Sequence, residues 1–150
     1  MIRLPRHLRL NIRAEGEAAY PDECCGILLG TVDAQDGRTV EELRPVVNTR
    51  ESGERYHRFR MEADEILLAE RFAQSRGLEI LGFYHSHPDR PAAPSDYDLE
   101  HALPWYSYVI VAVARGKARA VSCWRAADDR SRFIRERMPA VSDDLKRKML

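Results

Sequence analysis

The sequence predicts an α/β (α+β) fold, a single-domain sandwich in which helices flank a central mixed sheet. Two pairs of apolar runs, within residues 25–47 and 106–124, have the pattern of β-hairpins. Helical periodicities lie before and between these hairpins, at residues 7–20 and 61–76. A length of 150 residues suits one domain with one hydrophobic core, so we expect residues 1–150 to form a single domain.

The first half of the chain predicts a helix, a hairpin and a second helix. Residues 7–20 have Leu8, Ile12 and Ala19 among charged side chains, which is typical of an amphipathic helix, and Pro21 ends it. The hairpin strands and turn are followed by a polar loop, and these segments comprise residues 25–32, 33–37, 39–47 and 48–54. The second helix, 61–76, stops at Gly77, and its expected apolar stripe comprises Ile66, Leu67, Phe72 and Ala73.

The second half of the chain begins with a buried strand, predicted over residues 78–87. A proline-rich loop, 88–94, leads to a short helix that starts at Ser95 and stops before Pro104. The remaining predicted strands comprise residues 106–114, 118–124 and 133–138. The basic C-terminal end is expected to fray.

The most informative pattern is His85-Ser86-His87-Pro88 followed by Ser95 and Asp98, with the spacing H-x-H-x₇-S-x₂-D. Side chains two apart on a strand point the same way, so both imidazoles should project together. A catalytic metal needs a third protein ligand and an open position for water, and Asp98 is the natural third ligand. The pattern therefore predicts a metal site.

A purely structural interpretation of the same residues is also possible. Ser95 and Asp98 fit the capping box that begins a helix, and His85 and His87 could be ordinary core or surface histidines. The two interpretations are compatible, because the start of a helix can hold Asp98 against the histidines.

Charge and cysteine content exclude several classes of protein. Lys plus Arg and Asp plus Glu both total 24, which argues against charge-driven binding to nucleic acid or to an anionic membrane. Three cysteines, Cys24, Cys25 and Cys123, are too few for a disulfide scaffold and are expected to be buried free thiols. No apolar run approaches the length of a spanning helix or a signal sequence, so we expect a cytoplasmic protein.

Together these residues resemble the JAMM, or MPN-plus, group of zinc metalloproteases (Mov34/MPN/PAD-1), most closely its compact prokaryotic branch. The family pattern, an early Glu followed by the His-x-His-Pro and Ser-x-x-Asp motifs, reads here as Glu23, His85-Ser86-His87-Pro88, Pro94-Ser95 and Asp98. The resemblance covers about residues 7–127. It implies the MPN/JAMM fold, which is similar to that of cytidine deaminases.

The resemblance also implies a role for each motif residue. His85, His87 and Asp98 correspond to the Zn²⁺ ligands, with water in the fourth position. Glu23 corresponds to the general base and Ser95 to the donor that stabilises the oxyanion. Spacing alone does not distinguish Glu23 from the nearby carboxylates Glu15 and Glu17.

Other polar and aromatic residues near the motif have less specific expectations. Ser86 should point away from the metal and act as structural support, and His57 and His101 are expected not to be ligands. Three aromatic residues are expected either to line a substrate groove or to pack in the core, namely Tyr56, Phe59 and Trp105.

The substrates implied by the resemblance are ubiquitin-like or sulfur-carrier proteins ending in Gly-Gly. The bond cleaved after the tail would join it to a single residue such as cysteine, to an extension, or to a lysine of another protein. A zinc deaminase is excluded, because neither H-x-E nor P-C-x-x-C occurs. A non-catalytic MPN scaffold and a phage-tail or DNA-repair relative of the same fold are the alternatives. The oligomeric state is left open.

Overall fold

The computed structural model of the protein describes residues 1–48 and 61–141. Its elements, in chain order, are β1 (Ile2–Arg3), α1 (Arg6–Ala19), β2 (Cys25–Val32), β3 (Arg38–Val46), α2 (Ala63–Ser75), β4 (Glu79–Pro88), α3 (Asp96–His101), β5 (Ser107–Ala114), β6 (Lys117–Ala126) and β7 (Phe133–Arg135). No described helix is long and apolar enough to cross a membrane.

The described strands form one mixed sheet in the order β1-β3-β2-β4-β5-β6-β7. The pairs β1–β3 and β4–β5 are parallel and the other neighbours are antiparallel. This arrangement confirms the predicted mixed sheet with flanking helices. Strand β1 was not predicted, because two residues carry no periodic signal. The single-domain organisation stays a prediction.

Two apolar clusters lie on opposite faces of the sheet. On one face, Leu8 and Ile12 of α1 pack against strand residues that include Leu28 and Tyr84. The stripe on α1 continues at the buried Gly16 rather than at Ala19, because a side chain there would crowd β5. The helix therefore lies close against the sheet.

Helix α2 covers the other face through small side chains. Its buried residues are Ala69 and Ala73, which contact the cluster that contains Phe83. The predicted stripe was wrong for Leu67 and Phe72, which are 46% and 38% exposed. The sequence pattern favoured large apolar residues for the core, whereas the fully buried positions of α2 are occupied by alanine.

Strand β4 contains a bulge that determines which face its last residues occupy. Leu28 pairs with Gly82 and Leu29 pairs with Ile80, so Leu81 has no partner of its own on β2. An extra residue of this kind reverses the alternation of side chains beyond it. Phe83 accordingly lies on the same face as Ile80, which is three positions earlier.

Tyr84 packs closely over Gly26, so we expect a side chain at position 26 to destabilise the fold. A Cβ atom at position 26 would overlap the Tyr84 ring. Gly26→Ala should lower the free energy of unfolding by roughly 1–3 kcal/mol, because overpacking forces the core to shift. Chemical denaturation would measure the loss, which should shrink in a Tyr84→Leu background. Equal losses in both backgrounds would contradict the assigned contact.

Candidate metal centre

Three side chains converge at the end of β4 and the start of α3. The Nε2 atoms of His85 and His87 are 3.1 Å apart. The carboxylate of Asp98 brings Oδ1 to 3.3 Å from His85 Nε2 and Oδ2 to 3.1 Å from His87 Nε2. Both histidines are 1% exposed. These residues form a group whose ligand atoms are close enough to hold one metal ion.

The donor set fits zinc in both chemistry and spacing. An imidazole nitrogen of each histidine and a carboxylate oxygen can share a proton or bind a cation, and although burial opposes a charge on His85, the contact with Asp98 raises its pKa. A tetrahedron with bonds of about 2.0–2.1 Å has edges of about 3.3–3.4 Å. The 3.1 Å separation of the two imidazole nitrogens is near this value, and each nitrogen lies 3.1–3.3 Å from one of the two Asp98 oxygens.

The ring of His87 is oriented by a second contact. Its Nδ1 lies 2.9 Å from the carbonyl oxygen of Pro91, so Nδ1 carries the proton and Nε2 keeps its lone pair for the site. Burial lowers the pKa of His87, which further favours the neutral ring that a metal requires.

Helix α3 positions Asp98 through the predicted capping box. The Ser95 N–H donates to Asp98 Oδ2 at 2.8 Å, and the Asp98 N–H donates to Ser95 Oγ at 3.1 Å. Burial opposes ionisation of Asp98, but the contacts with His85 and His87 and the Ser95 N–H hold its pKa well below the usual range. Ser95 keeps its hydroxyl proton for donation, because its oxygen is the acceptor in the cap.

Glu23 is held beside these residues by the pairing of its neighbours with β4. The Cys24 N–H donates to Ser86 Oγ at 2.8 Å, and the Ser86 N–H donates to the Cys24 carbonyl at 3.2 Å. The side-chain amide of Asn48 donates to the Glu23 carbonyl at 3.1 Å. Ser86 thus points away from the histidine face and acts as the structural support that was predicted.

The Glu23 carboxylate is 3% exposed and forms an ion pair with Arg90. Burial raises the pKa of Glu23 to about 7, while His85 and Arg90 offset part of this rise and Asp98 adds to it. A carboxylate with a pKa near neutrality can accept a proton and release it again at physiological pH.

The other candidate carboxylates have partners elsewhere. Glu15 accepts a hydrogen bond from the Tyr84 hydroxyl at 2.8 Å, and Glu17 accepts one from the Ala118 N–H at 3.0 Å. Both contacts lie on the α1 side of the molecule. Glu23 is therefore the early carboxylate that the fold brings to the candidate site.

The structure also locates two of the less specific candidates. The His101 Nδ1 lies 2.9 Å from the Tyr97 carbonyl, and His101 is not part of the three-residue group. Trp105 packs against the guanidinium of the buried Arg38, 4.0 Å from the ring centroid. Tyr56, His57 and Phe59 lie outside the described residues. The same holds for residues 142–150 of the tail and for the predicted 48–54 loop, of which only Asn48 is described.

Two features of the site were missed in the sequence. The first is Arg90, an unassigned cation between His87 and Asp98 whose position within the motif was the available signal. The second is an apolar cavity of about 250 Å³ next to His85 and Asp98. Its apolar and aromatic lining comprises Met61, Ile66, Phe83, Tyr97, Leu103 and Tyr108.

Residues 5–127 match the model of the Prok-JAB family, described as prokaryotic homologs of the JAB domain. The chain belongs to this family. The match covers the segment that carries Glu23, His85, His87, Ser95 and Asp98, and it confirms the resemblance to the prokaryotic JAMM/MPN group.

Curated proteins that are similar to this chain include two with names of enzymes and one with the name of a phage assembly protein. The chain is 38% identical to the desampylase of Haloferax volcanii over 98 residues, covering 64% of this chain and 67% of that protein. It is 32% identical over 107 residues to a Thermus thermophilus protein named "Probable TtuB-protein conjugate cleaving protease", covering 71% and 67%. It is also 32% identical over 114 residues to tail tip assembly protein K of Escherichia phage N15, covering 73% and 40%.

Solved structures share the fold over nearly the whole chain. A solution structure of a Desulfitobacterium hafniense protein superposes with a TM-score of 0.82 at 30% identity, covering 95% of this chain and 94% of that one. A JAB1/MPN domain protein from Archaeoglobus fulgidus has the same fold, with a TM-score of 0.55 at 20% identity and coverage of 93% and 94%.

Replacing the cap residue should weaken α3. Ser95→Ala removes the acceptor for the Asp98 N–H and should lower the free energy of unfolding by about 1 kcal/mol. Ser95→Gly should lower it by only a few tenths of a kcal/mol. Urea denaturation of the metal-free variants would measure both effects. Equal stability of Ser95→Ala and the wild type would contradict the cap.

Proposed function

We propose that the protein is a zinc-dependent hydrolase of the JAMM type that cleaves the bond after the Gly-Gly tail of a ubiquitin-like or sulfur-carrier protein. The observation that carries the proposal is the convergence of His85, His87 and Asp98 beside the buried carboxylate Glu23. Zinc held by these three residues would lower the pKa of a water molecule and polarise the scissile carbonyl.

The remaining chemistry belongs to residues of the chain. Glu23 takes a proton from the attacking water and delivers it to the leaving amine, which its pKa of about 7 permits. The Ser95 hydroxyl donates a hydrogen bond to the oxygen on which negative charge develops. The reaction is hydrolysis, so the C–N bond breaks, the water oxygen remains on the glycine carboxyl group, and no acyl-enzyme forms.

The substrate class rests on the relatives and on steric reasoning. One relative is named as a probable TtuB-protein conjugate cleaving protease and another as a desampylase, and the chain matches 67% of the length of each. A buried centre such as this one admits an extended chain only if the residues at the scissile bond are small, which favours glycine. Within residues 1–48 and 61–141, the outer edge of β3 pairs with β1 at Arg38 and Thr39 only, so the rest of that edge could pair with such a tail.

A structural role in an assembly is the second candidate function. The similarity to a phage tail tip assembly protein favours it, although the chain matches only 40% of that protein. A scaffold has no use for a buried carboxylate beside three converging acceptors, because burying charge costs stability. Hydrolysis accounts for Glu23 and a scaffold does not.

Purified protein should contain one zinc per chain, measured by elemental mass spectrometry. His85→Ala and Asp98→Ala should lose the metal, because two ligands hold zinc far less tightly than three. His101→Ala is the matched control and should keep it. A chelator should lower the Tm of the wild type but not that of Asp98→Ala. Zinc retained by both ligand variants would refute the assigned centre.

Glu23→Gln should keep zinc and lose activity. The amide cannot accept the proton of the attacking water, so kcat should fall by roughly 10²- to 10⁴-fold. The assay follows release of the tail from a Gly-Gly-linked conjugate, and metal content is measured on the same sample. Normal turnover by this variant would show that Glu23 is not the base.

Activity should fall as the pH decreases below about 7. The base works only as a carboxylate, and the pKa of Glu23 is raised to about 7, so protonation below that pH removes it. A bound cation moves the midpoint lower, so kcat/KM should have its acid limb at or below pH 7. Metal content measured at each pH separates this effect from zinc loss. A flat profile down to pH 5 with zinc retained would be inconsistent with this base.

A further inference from the structure

An apolar cavity of about 250 Å³ adjoins two of the proposed zinc ligands, and the hydrolysis described above leaves it without a role. The lining that the described residues give it includes His85 and Asp98 but not Glu23 or His87. The cavity therefore opens beside the proposed metal centre on a different side from the proposed base.

The floor of the cavity is formed by two strands of the sheet. Phe83 of β4 pairs with Tyr108 of β5, and these residues are only 8% and 9% exposed. Their ring centroids lie 5.8 Å apart. Leu103, which follows α3, adds a wall, and its N–H donates to the Tyr108 hydroxyl oxygen at 2.8 Å. The cavity is thus preformed, so little order remains to be gained when it is filled.

Further walls come from α2, α3 and the residues beside them. Met61 and Ile66 contribute aliphatic side chains at the start of α2. On α3 the rings of Tyr97 and His101 stack with their centroids 4.1 Å apart. Most of the lining is therefore hydrocarbon, and a charged side chain that entered without a partner would lose its hydration.

The size of the cavity limits what it can hold. Pockets that bind small-molecule ligands usually have volumes of roughly 300–1,000 Å³. A volume of about 250 Å³ is below this range. The space is therefore suited to one large side chain rather than to a whole cofactor or metabolite.

The direction of the reaction indicates which part of a substrate reaches the cavity. The leaving amine takes its proton from Glu23, so it lies on the Glu23 side of the scissile carbon. The acyl part of the substrate extends away from that side, toward the cavity. In a Gly-Gly tail, the first side chain belongs to the residue before the two glycines. An extended chain advances about 3.3 Å per residue, so this residue lies about 7 Å from the last glycine, within reach of a cavity that adjoins the metal ligands.

We propose that the cavity binds the side chain of the residue that precedes Gly-Gly, and that it selects carrier proteins in which this residue is large and apolar. The proposal rests on the proposed hydrolase function and narrows its substrate class. Its physical basis is the burial of hydrocarbon against Phe83, Tyr108 and Leu103.

Three peptides that differ only in the residue before Gly-Gly test this selection with the zinc-loaded protein. The residue is leucine, alanine or arginine, and the same fluorogenic amine follows Gly-Gly in each. We expect kcat/KM for the leucine probe to exceed that for the alanine probe by roughly 10- to 100-fold, because three further carbon atoms are buried. The arginine probe should be no better than the alanine probe, because its charge opposes entry.

Variants of Leu103 connect the selection to the cavity. Leu103→Trp should fill the space and reduce the ratio of the leucine to the alanine probe to near one, with the alanine probe little affected. Leu103→Ala should enlarge the space and favour a tryptophan probe over the leucine probe. Leu68→Ala is the matched control, because Leu68 and Leu103 are both 50% exposed but Leu68 does not line the cavity. It should leave every ratio unchanged.

Binding to the metal-free protein tests the cavity separately from hydrolysis. The matching product peptides, which end in Gly-Gly with a free carboxylate, are titrated by calorimetry. The leucine peptide should bind the wild type more tightly than the alanine peptide, and this difference should vanish in Leu103→Trp.

The two assays distinguish failure of the subsite from failure of the hydrolase. Cleavage of none of the probes would count against the proposed hydrolase. A leucine preference that persists in Leu103→Trp, or a wild-type preference for the alanine or arginine probe, would overturn the role of the cavity. Equal binding of the two product peptides to the wild type, or no binding of either, would refute it as well.

Discussion

The pairing of β4 with both of its neighbours is the constraint on which the site depends. His85 lies opposite Cys25 of β2 and Ile110 of β5, so the strand is fixed from both sides where the two imidazoles leave it. The same pairing fixes the chain before β2, because Ser86 exchanges hydrogen bonds with Cys24. One strand therefore determines the positions of two proposed ligands and of the carboxylate that works beside them.

Burial opposes ionisation of both carboxylates of the site, but their pKa values are shifted in opposite directions. Asp98 receives hydrogen bonds from the helix start and lies against both histidines, so it stays ionised. Glu23 has a single ion pair at the edge of the site, and its burial prevails, so its pKa rises to about 7. Two neighbouring carboxyl groups whose pKa values are pushed apart in this way suit different tasks, one a permanent anion and the other a proton carrier.

Much of this arrangement could be predicted from the sequence, since its determinants are local. Alternation on a strand placed His85 and His87 together, and the capping pattern placed Asp98 at a helix start. The same capping pattern predicted that Ser95 is the cap residue of this helix. The roles of these residues toward a metal stay a proposal.

What could not be predicted depends on contacts between distant segments. Arg90 meets Glu23 across 67 positions of sequence, and no local pattern encodes such a pair. The burial of α2 through Ala69 and Ala73 depends on how the helix packs on the sheet, which composition does not reveal. Spacing alone could not choose among the three early glutamates, because only the folded chain shows that Glu15 and Glu17 have partners elsewhere.

The bulge at Leu81 gives β4 one residue more than the segment of β2 that it faces. Apolar residues before the histidines can be exchanged for others of similar volume at modest cost. Removing one residue between Ile80 and His85 would leave three residues on β4 opposite three on β2, so the ladder would become regular and the two histidines would keep their face. A deletion of a single codon before the histidines is therefore compatible with the site, whereas an insertion there would add a second unpaired residue and turn His85 and His87 to the other face.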